Sequence, residues 1–167
     1  MLRRRRLEQS LLIDGIHDFL ARGLEDTFIF DENRARKEGK ITLCYRETSQ
    51  PVPLEVELTE IAIEKDRLNW REVHRAVKDR LPENVIRQLV SNAKTLVRGS
   101  SRRMIKDVER DIRQWQEAAF TELVLMFGWQ KAQAFKKEIV LPADVKPGTL
   151  HALQYVVDAN IDRLQNF

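Results

Sequence analysis

Cysteine is nearly missing from this chain of 167 residues, because Cys44 is the only one. A single cysteine excludes a disulfide within the chain and is consistent with a reducing compartment. Long apolar runs are missing too, so we expect no membrane-spanning segment. The first residues have the charged head of a signal peptide, but Asp14, His17 and Asp18 interrupt its apolar part, and no cleavage site follows. The expected location is therefore the cytoplasm, without a membrane partner.

Glycine and histidine are also scarce, which argues against several enzyme classes. The six glycines are spread thinly, so the chain has no glycine-rich phosphate loop. His17, His74 and His151 do not have the spacing of metal ligands, and no histidine is adjacent to Cys44 to activate its thiol. We therefore expect no catalytic residue, no metal site and no cofactor, and we predict that the protein is not an enzyme.

Charge is plentiful, and it is unevenly distributed. Charged residues make up 33% of the chain, but the net charge is only +3. Residues 3–6 are four arginines, and residues 85–113 hold eight basic and three acidic side chains, so the rest of the chain carries a net charge of −6. Such segregation indicates a charged partner more strongly than the total does. Residues 1–6 are interpreted either as a flexible basic arm or as a solubilising end.

The N-terminal third predicts one helix and three strands. The helix is expected over about residues 7–22, and Gly23 is its stop. Residues 27–31 are a short apolar run rich in strand formers, and a polar connection follows it. Apolar and polar residues then alternate in segments 40–47 and 52–60, which turn residues separate. A period of two between turns predicts a three-stranded antiparallel meander.

The remainder of the chain predicts helices. Pro82 can open one helix at its first turn, Gly99 can close it, and Ser100 or Ser101 can cap the long helix that follows. The predicted helices cover residues 69–81, 82–98, about 100–127, 129–138 and about 147–164. We therefore predict an α+β fold that is predominantly helical: a compact helical bundle with the small meander near its N-terminal third, in a single domain over residues 1–167.

Two neighbouring helices combine an apolar stripe with a basic face. The stripe of the long helix alternates spacings of four and three, as a core-facing side does; it is Met104, Val108, Ile112, Trp115, Ala119, Leu123 and Met126. Its basic residues lie roughly opposite that stripe, and the basic residues of the preceding helix lie opposite that helix's own apolar face. The helix that precedes these two also has an apolar stripe, made of Trp70, Val73, Val77 and Leu81, and a polar face with Arg71, Arg75 and Lys78.

Basic faces of this kind match the chemistry of a phosphate backbone. Arginine forks pair two phosphate oxygens, lysine offers a compact charge, and serine hydroxyls and helix N-termini add donors. Such binding is independent of base sequence and weakens steeply with salt. The predicted nucleic-acid-binding residues are Arg87, Lys94, Arg98, Ser100, Ser101, Arg102, Arg103, Lys106, Arg110 and Arg113.

This charge layout on a small helical unit resembles the small helical subunits of CRISPR surveillance complexes. The resemblance is carried by Arg87, Lys94, Arg98, Arg102, Arg103, Lys106, Arg110 and Arg113. In that family such subunits line the path of the guide–target duplex or the displaced strand. The resemblance implies a non-enzymatic accessory subunit of a nucleoprotein assembly in antiviral defence, in contact with RNA or DNA backbones and with other protein subunits.

Two other interpretations of the basic face stay open. It can be a plain solvated surface, because Arg103 and Asp107, like Glu109 and Arg113, have the spacing of ion pairs along a helix. Alternatively, the protein is an adaptor or chaperone subunit without nucleic-acid contact, in which an acidic surface or an edge strand binds another protein.

A divergent metal-dependent nuclease is a minor alternative. The order of one helix, three strands and one helix is similar to the start of the PD-(D/E)xK nuclease core. That family needs acidic residues on the second and third strands and a lysine in register, so that carboxylates hold magnesium. Here the second strand offers Glu47, and the third offers Glu55 and Glu57 without such a lysine.

Overall fold

The structure, a computed structural model, describes residues 13–33, 42–54 and 70–167 of the chain. These residues are predominantly helical and include a small antiparallel sheet, which confirms the predicted fold class in its coarse form. The chain divides into two compact units, residues 1–81 and residues 82–167, and each is described by itself. The single domain stays a prediction.

The first unit contains helix α1, which is described over residues 13–20. Its buried side chains recur with the spacing of one helix face; they are Ile13, Ile16, Phe19 and Leu20. A turn over residues 21–27 follows, and within it Gly23 has a φ of 101°, which is a conformation that glycine tolerates best. The predicted stop at Gly23 therefore lies just beyond the last helical residue, whereas the predicted start at residue 7 lies outside the described residues.

A two-stranded antiparallel sheet follows α1. Strand β1 (Phe28–Phe30) pairs with strand β2 (Leu43–Tyr45), with Phe28 opposite Tyr45. The sequence pattern predicted one polar side for β2, but Leu43, Cys44 and Tyr45 are all buried. The strand is thus covered on both faces rather than on one.

The predicted third strand is not confirmed, and the meander is reduced to two strands in the described residues. Pro51 forms only an isolated antiparallel bridge with Cys44, and the amide of Val52 donates to the carbonyl of Leu43 at 2.8 Å. Because Pro51 and Pro53 carry no amide hydrogen, this segment cannot donate a regular ladder of hydrogen bonds. Residues 55–60 of the predicted strand lie outside the described residues.

Helix α2 (Trp70–Asp79) completes the described part of the first unit. Val73 and Val77 are buried, as the stripe predicted, and the hydroxyl of Tyr45 donates to the carbonyl of Arg80 at 2.8 Å. This hydrogen bond fastens the sheet to the residue that follows the helix. The predicted start of this helix, at residue 69, lies outside the described residues.

The second unit is entirely helical in its regular elements, with the order α3 (Pro82–Val97), a 3-10 turn (Ser100–Arg102), α4 (Ile105–Phe127), α5 (Trp129–Ala132) and α6 (Leu150–Leu164). Pro82 opens α3 as predicted. Helix α5 is one turn, shorter than predicted, and turns follow it to residue 136. Helix α6 begins at Leu150 rather than near Pro147, because Thr149 is its cap and its side chain accepts from the amide of Ala152.

The core of the second unit lies among α3, α4 and α6, each of which contacts the other two. The centre of α4 is held by Trp115, whose indole Nε1 donates to the carbonyl of Leu89 at 3.1 Å and whose ring meets Phe135 edge to face at 6.0 Å. The predicted stripe is confirmed for Val108, Ile112, Trp115, Ala119, Leu123 and Met126, all of which are buried.

Candidate nucleic-acid interface

The predicted binding residues concentrate where α3 passes into α4. We call residues 98–106 the basic corner. Gly99 ends α3 with a φ of 72°, the 3-10 turn follows, and Arg103 is extended, with φ −112° and ψ 155°. The corner is therefore a tight connection that brings Arg98, the residue directly after α3, and Lys106, the first basic residue of α4, within nine residues of each other.

The structure corrects the start of the long helix. It begins at Ile105, after Met104, and no side chain caps it. Ser100 is buried in the 3-10 turn, where its hydroxyl donates to the carbonyl of Val97 at 2.7 Å. Ser100 thus closes the end of α3 and does not cap α4, and Ser101 is exposed in the same turn without capping α4. Of the two predicted serine donors, only Ser101 stands open to solvent.

Four of the predicted cations are exposed without an acidic partner. Lys94 lies in the last turn of α3, and Arg98, Arg102 and Lys106 lie within the corner. In the part of the chain that the structure describes, none of these four makes an ion pair with a carboxylate. Their charges are therefore available to an outside anion.

Three other predicted cations are engaged by carboxylates of α4. In distances from nitrogen to oxygen, Arg103 lies 2.5 Å from Asp111, and Arg113 lies 2.6 Å from Glu109. Arg110 lies 3.1 Å from Asp107 and 3.5 Å from Asp111.

The pair between Glu109 and Arg113 was predicted, but Arg103 pairs with Asp111 instead of Asp107. The spacing of four residues does not apply to Arg103, because it precedes the helix in an extended conformation. For these three arginines, a phosphate would have to compete with a bound carboxylate.

The hydrogen bond from Arg103 holds the pKa of the Asp111 carboxyl below its usual value, and the charge of Arg110 adds to the effect. We expect Arg103→Gln to raise the pKa of Asp111 toward that usual value. Because the lowered pKa belongs to the folded state, any stabilisation from this pair is present at neutral pH and is lost as pH falls through the pKa of Asp111 in the folded protein. Carbon NMR titration of the carboxyl group measures this shift.

The matched control is Arg87→Gln, since the guanidinium of Arg87 donates to the amide oxygen of Asn84 at 3.0 Å and not to a carboxylate. This control should leave the titration of Asp111 unchanged. An unchanged pKa of Asp111 in Arg103→Gln would show that the pair does not persist in solution.

Apolar exposure at the corner was missed by the sequence pattern. Met104 continues the helical spacing of the core stripe, yet it is 71% exposed, and Ile105 is 43% exposed. Because the helix begins only at Ile105, the helical period cannot be extended back to Met104. The signal for this was the run of two serines and two arginines between Gly99 and Met104, which is typical of a turn.

The corner offers a ligand positive charge and hydrogen-bond donors, and beside them the exposed apolar side chains of Met104 and Ile105. The corner is where basic residues from both helices follow one another along the chain. Arg71, Arg75 and Lys78 are exposed on α2 in the other unit.

None of the described helices combines the length and the apolar character that a bilayer crossing requires. In the same residues, no three His, Cys, Asp or Glu side chains are grouped to hold a metal ion. Glu47 lies in the turn after β2, and Glu55 and Glu57 are outside the described residues, so the nuclease stays an untested alternative. No model of a known protein family, no curated protein and no solved structure matches this chain.

Proposed function

We propose that the protein binds the phosphate backbone of RNA or DNA, without sequence specificity, through its basic corner. The observation that carries this proposal is the exposure of Arg98, Arg102 and Lys106 without an acidic partner among the described residues. Arginine forks and an ammonium group are the donors that phosphate oxygens accept best.

Helix stability accounts for some of these cations but not for Lys106. Lys94 and Arg98 lie at the C-terminal end of α3, where the helix dipole favours positive charge. Lys106 lies in the first turn of α4, where the dipole disfavours it. A cation at that position opposes helix formation, so an outside anion is the better reason for it.

The proposed role is that of a non-enzymatic accessory subunit in a larger nucleoprotein assembly in the cytoplasm. Few uncompensated cations give weak binding at physiological salt, because each phosphate contact contributes only modestly. Neighbouring subunits that also bind the strand would raise the effective affinity. The small helical subunits of CRISPR surveillance complexes, in antiviral defence, are the kind of component that we have in mind.

A salt series with labelled single-stranded and double-stranded RNA and DNA tests the proposal. The decisive variant changes Arg98, Arg102 and Lys106 to glutamine. It should bind about tenfold or more weakly near 0.1 M salt, and its salt slope should fall by about 2 to 3, one unit for each lost phosphate contact.

The chain offers a matched control with the same residue types and the same change in net charge. Arg71, Arg75 and Lys78, all exposed on α2, are changed to glutamine together. This control should lose at most about threefold in affinity, since only the long-range field changes. Equal losses in the two triple variants, or no binding by the unchanged protein at low salt, would refute the corner as a phosphate site.

A protein–protein adaptor is the second candidate, and one observation favours it. Met104 and Ile105 are exposed within the same corner, and apolar side chains gain nothing from a phosphate backbone. If the corner binds a protein, Met104→Ser should weaken that complex while leaving the salt series with nucleic acid unchanged.

A further inference from the structure

A cavity lies at the other end of α4 from the basic corner, within the second unit. Its volume is about 600 Å³, and its walls come from the end of α4, from α5 and the turn after it, and from the end of α6. Cavities of this size hold small organic ligands. Because α4 has 23 residues, about 34 Å of helix separates this cavity from the corner.

One wall of the cavity is fixed by Arg163. Its guanidinium donates to the carbonyls of Phe135 at 3.0 Å, Lys137 at 2.5 Å and Glu138 at 3.1 Å. Three hydrogen bonds from one side chain tie the segment after α5 to α6. Arg163 is therefore committed to holding the wall, and the segment that carries Lys137 is held in place before any ligand arrives.

The charged side chains that line the cavity are all basic. Lys131 and Lys137 line it with Arg163, and none of its lining residues among those described is Asp or Glu. Lys137 makes no ion pair within the described residues, whereas its neighbour Lys136 binds Glu117 at 3.1 Å and stacks over the ring of Phe120. The ammonium of Lys137 is thus the group that an entering anion would meet.

The cavity also has an aromatic side and an amide. The rings of Phe127 and Phe167 lie 5.4 Å apart between centroids, and both side chains are half-buried. The side-chain amide nitrogen of Asn166 donates to the backbone carbonyl of Asp162, so the side-chain oxygen of Asn166 is left to accept a hydrogen bond from a ligand. The side chain of Gln130 offers a second, exposed amide.

We propose that this cavity binds one nucleoside monophosphate unit. The base stacks on the phenyl rings, its edge bonds to the amide of Asn166, and the phosphate lies against Lys137. A planar base, polar edges and an anionic group are the three features that the rings, the amide and the ammonium complement. The unit is either a free nucleotide or an unpaired nucleotide of a strand. This inference does not rest on the basic corner.

Titration of the whole chain with AMP and UMP, followed by amide NMR, tests the proposal. Saturable binding should appear in the millimolar range or tighter and should shift resonances of α5 and of the end of α6. Phe167→Ala and Lys137→Gln should each weaken it about tenfold, as expected for a lost stack and a lost charged hydrogen bond. Lys146→Gln, which removes an exposed lysine that does not line the cavity, is the matched control and should change nothing.

Further experiments distinguish a free nucleotide from an unpaired nucleotide of a strand, and the cavity proposal from the proposal for the basic corner. A short 5′-phosphorylated single strand that binds more tightly than AMP, and loses that advantage in Lys137→Gln, identifies a strand as the source; equal affinities identify the free nucleotide. The triple variant of Arg98, Arg102 and Lys106 should bind AMP normally. No saturable binding up to about 10 mM, or equal losses in Lys137→Gln and Lys146→Gln, would overturn the cavity proposal whatever the corner does.

Discussion

Replacement of Trp115 by alanine should lower the free energy of unfolding of the second unit by about 3–5 kcal/mol. Trp115 is buried in the middle of α4, packs edge to face against Phe135, and donates to the carbonyl of Leu89 on α3. The alanine variant loses the packing, the hydrogen bond and the bridge between two helices together. Urea unfolding followed by far-ultraviolet circular dichroism measures this loss.

Two companion variants divide the effect of Trp115. Trp115→Phe keeps an aromatic ring but cannot donate to Leu89, so about 1–2 kcal/mol should be lost. Gln114→Ala changes the exposed neighbour on the same helix and should stay within about 0.5 kcal/mol of the unchanged protein. If Trp115→Ala costs no more than Gln114→Ala, Trp115 does not hold α3 and α4 together.

The second large effect is expected in the first unit, at Tyr45. Its side chain is 1% exposed, its ring lies 5.5 Å from that of Phe28, and its hydroxyl donates to the carbonyl of Arg80. Tyr45→Ala should lower the free energy of unfolding of this unit by about 3–5 kcal/mol, the usual range for a large buried aromatic residue. Hydrogen exchange of amides in β1 and α2 localises the loss to this unit.

Tyr45→Phe isolates the hydroxyl from the ring. The hydrogen bond to the carbonyl of Arg80 is removed, so the expected cost is about 0.5–1.5 kcal/mol. Gln50→Ala alters an exposed side chain in the turn after β2 and should be nearly neutral. A cost in Tyr45→Phe as large as that in Tyr45→Ala would mean that the hydroxyl, and not the packing of the ring, fastens the sheet.

The Trp115 variants bear on function, because the basic corner and the cavity both lie in the second unit. The basic corner joins α3 to α4, and Trp115 on α4 links the two helices through its hydrogen bond to the carbonyl of Leu89 on α3. A destabilised second unit would lose the corner and the cavity together. Binding data for Arg98 or Lys137 variants are therefore meaningful only alongside unchanged unfolding curves.

The stripes of α2, α3 and α4 could be predicted from the sequence because helical periodicity is a local property. Val73 and Val77 on α2 follow the helical period and are buried. The same is true on α4 of Val108, Ile112, Trp115, Ala119, Leu123 and Met126. Pro82 and Gly99 mark the ends of α3 because their backbone preferences are intrinsic to the residue.

The third strand, the polar side of β2 and the start of α4 could not be predicted in the same way. Alternation predicts that one face of a strand is polar, but only neighbouring elements decide whether both faces are covered. Ser100 had the right chemistry to cap a helix, and the carbonyl of Val97 took its hydroxyl instead. That carbonyl lies three residues before Ser100, so the hydroxyl closes the end of α3, and the long helix begins only at Ile105.

The predicted binding site was likewise determined in part by the sequence and in part by the tertiary structure. The sequence by itself determined that positive charge gathers between residues 85 and 113, because charge is carried by residue type. Only the tertiary structure decided which cations are paired, because an ion pair depends on the position that each side chain reaches. Arg103 pairs with Asp111, whereas Arg102 and Lys106 are exposed and make no ion pair among the described residues. The cavity beside Lys137 also depends on the tertiary structure. Three carbonyls held by Arg163 shape its wall, and no spacing of residues along the sequence predicts it.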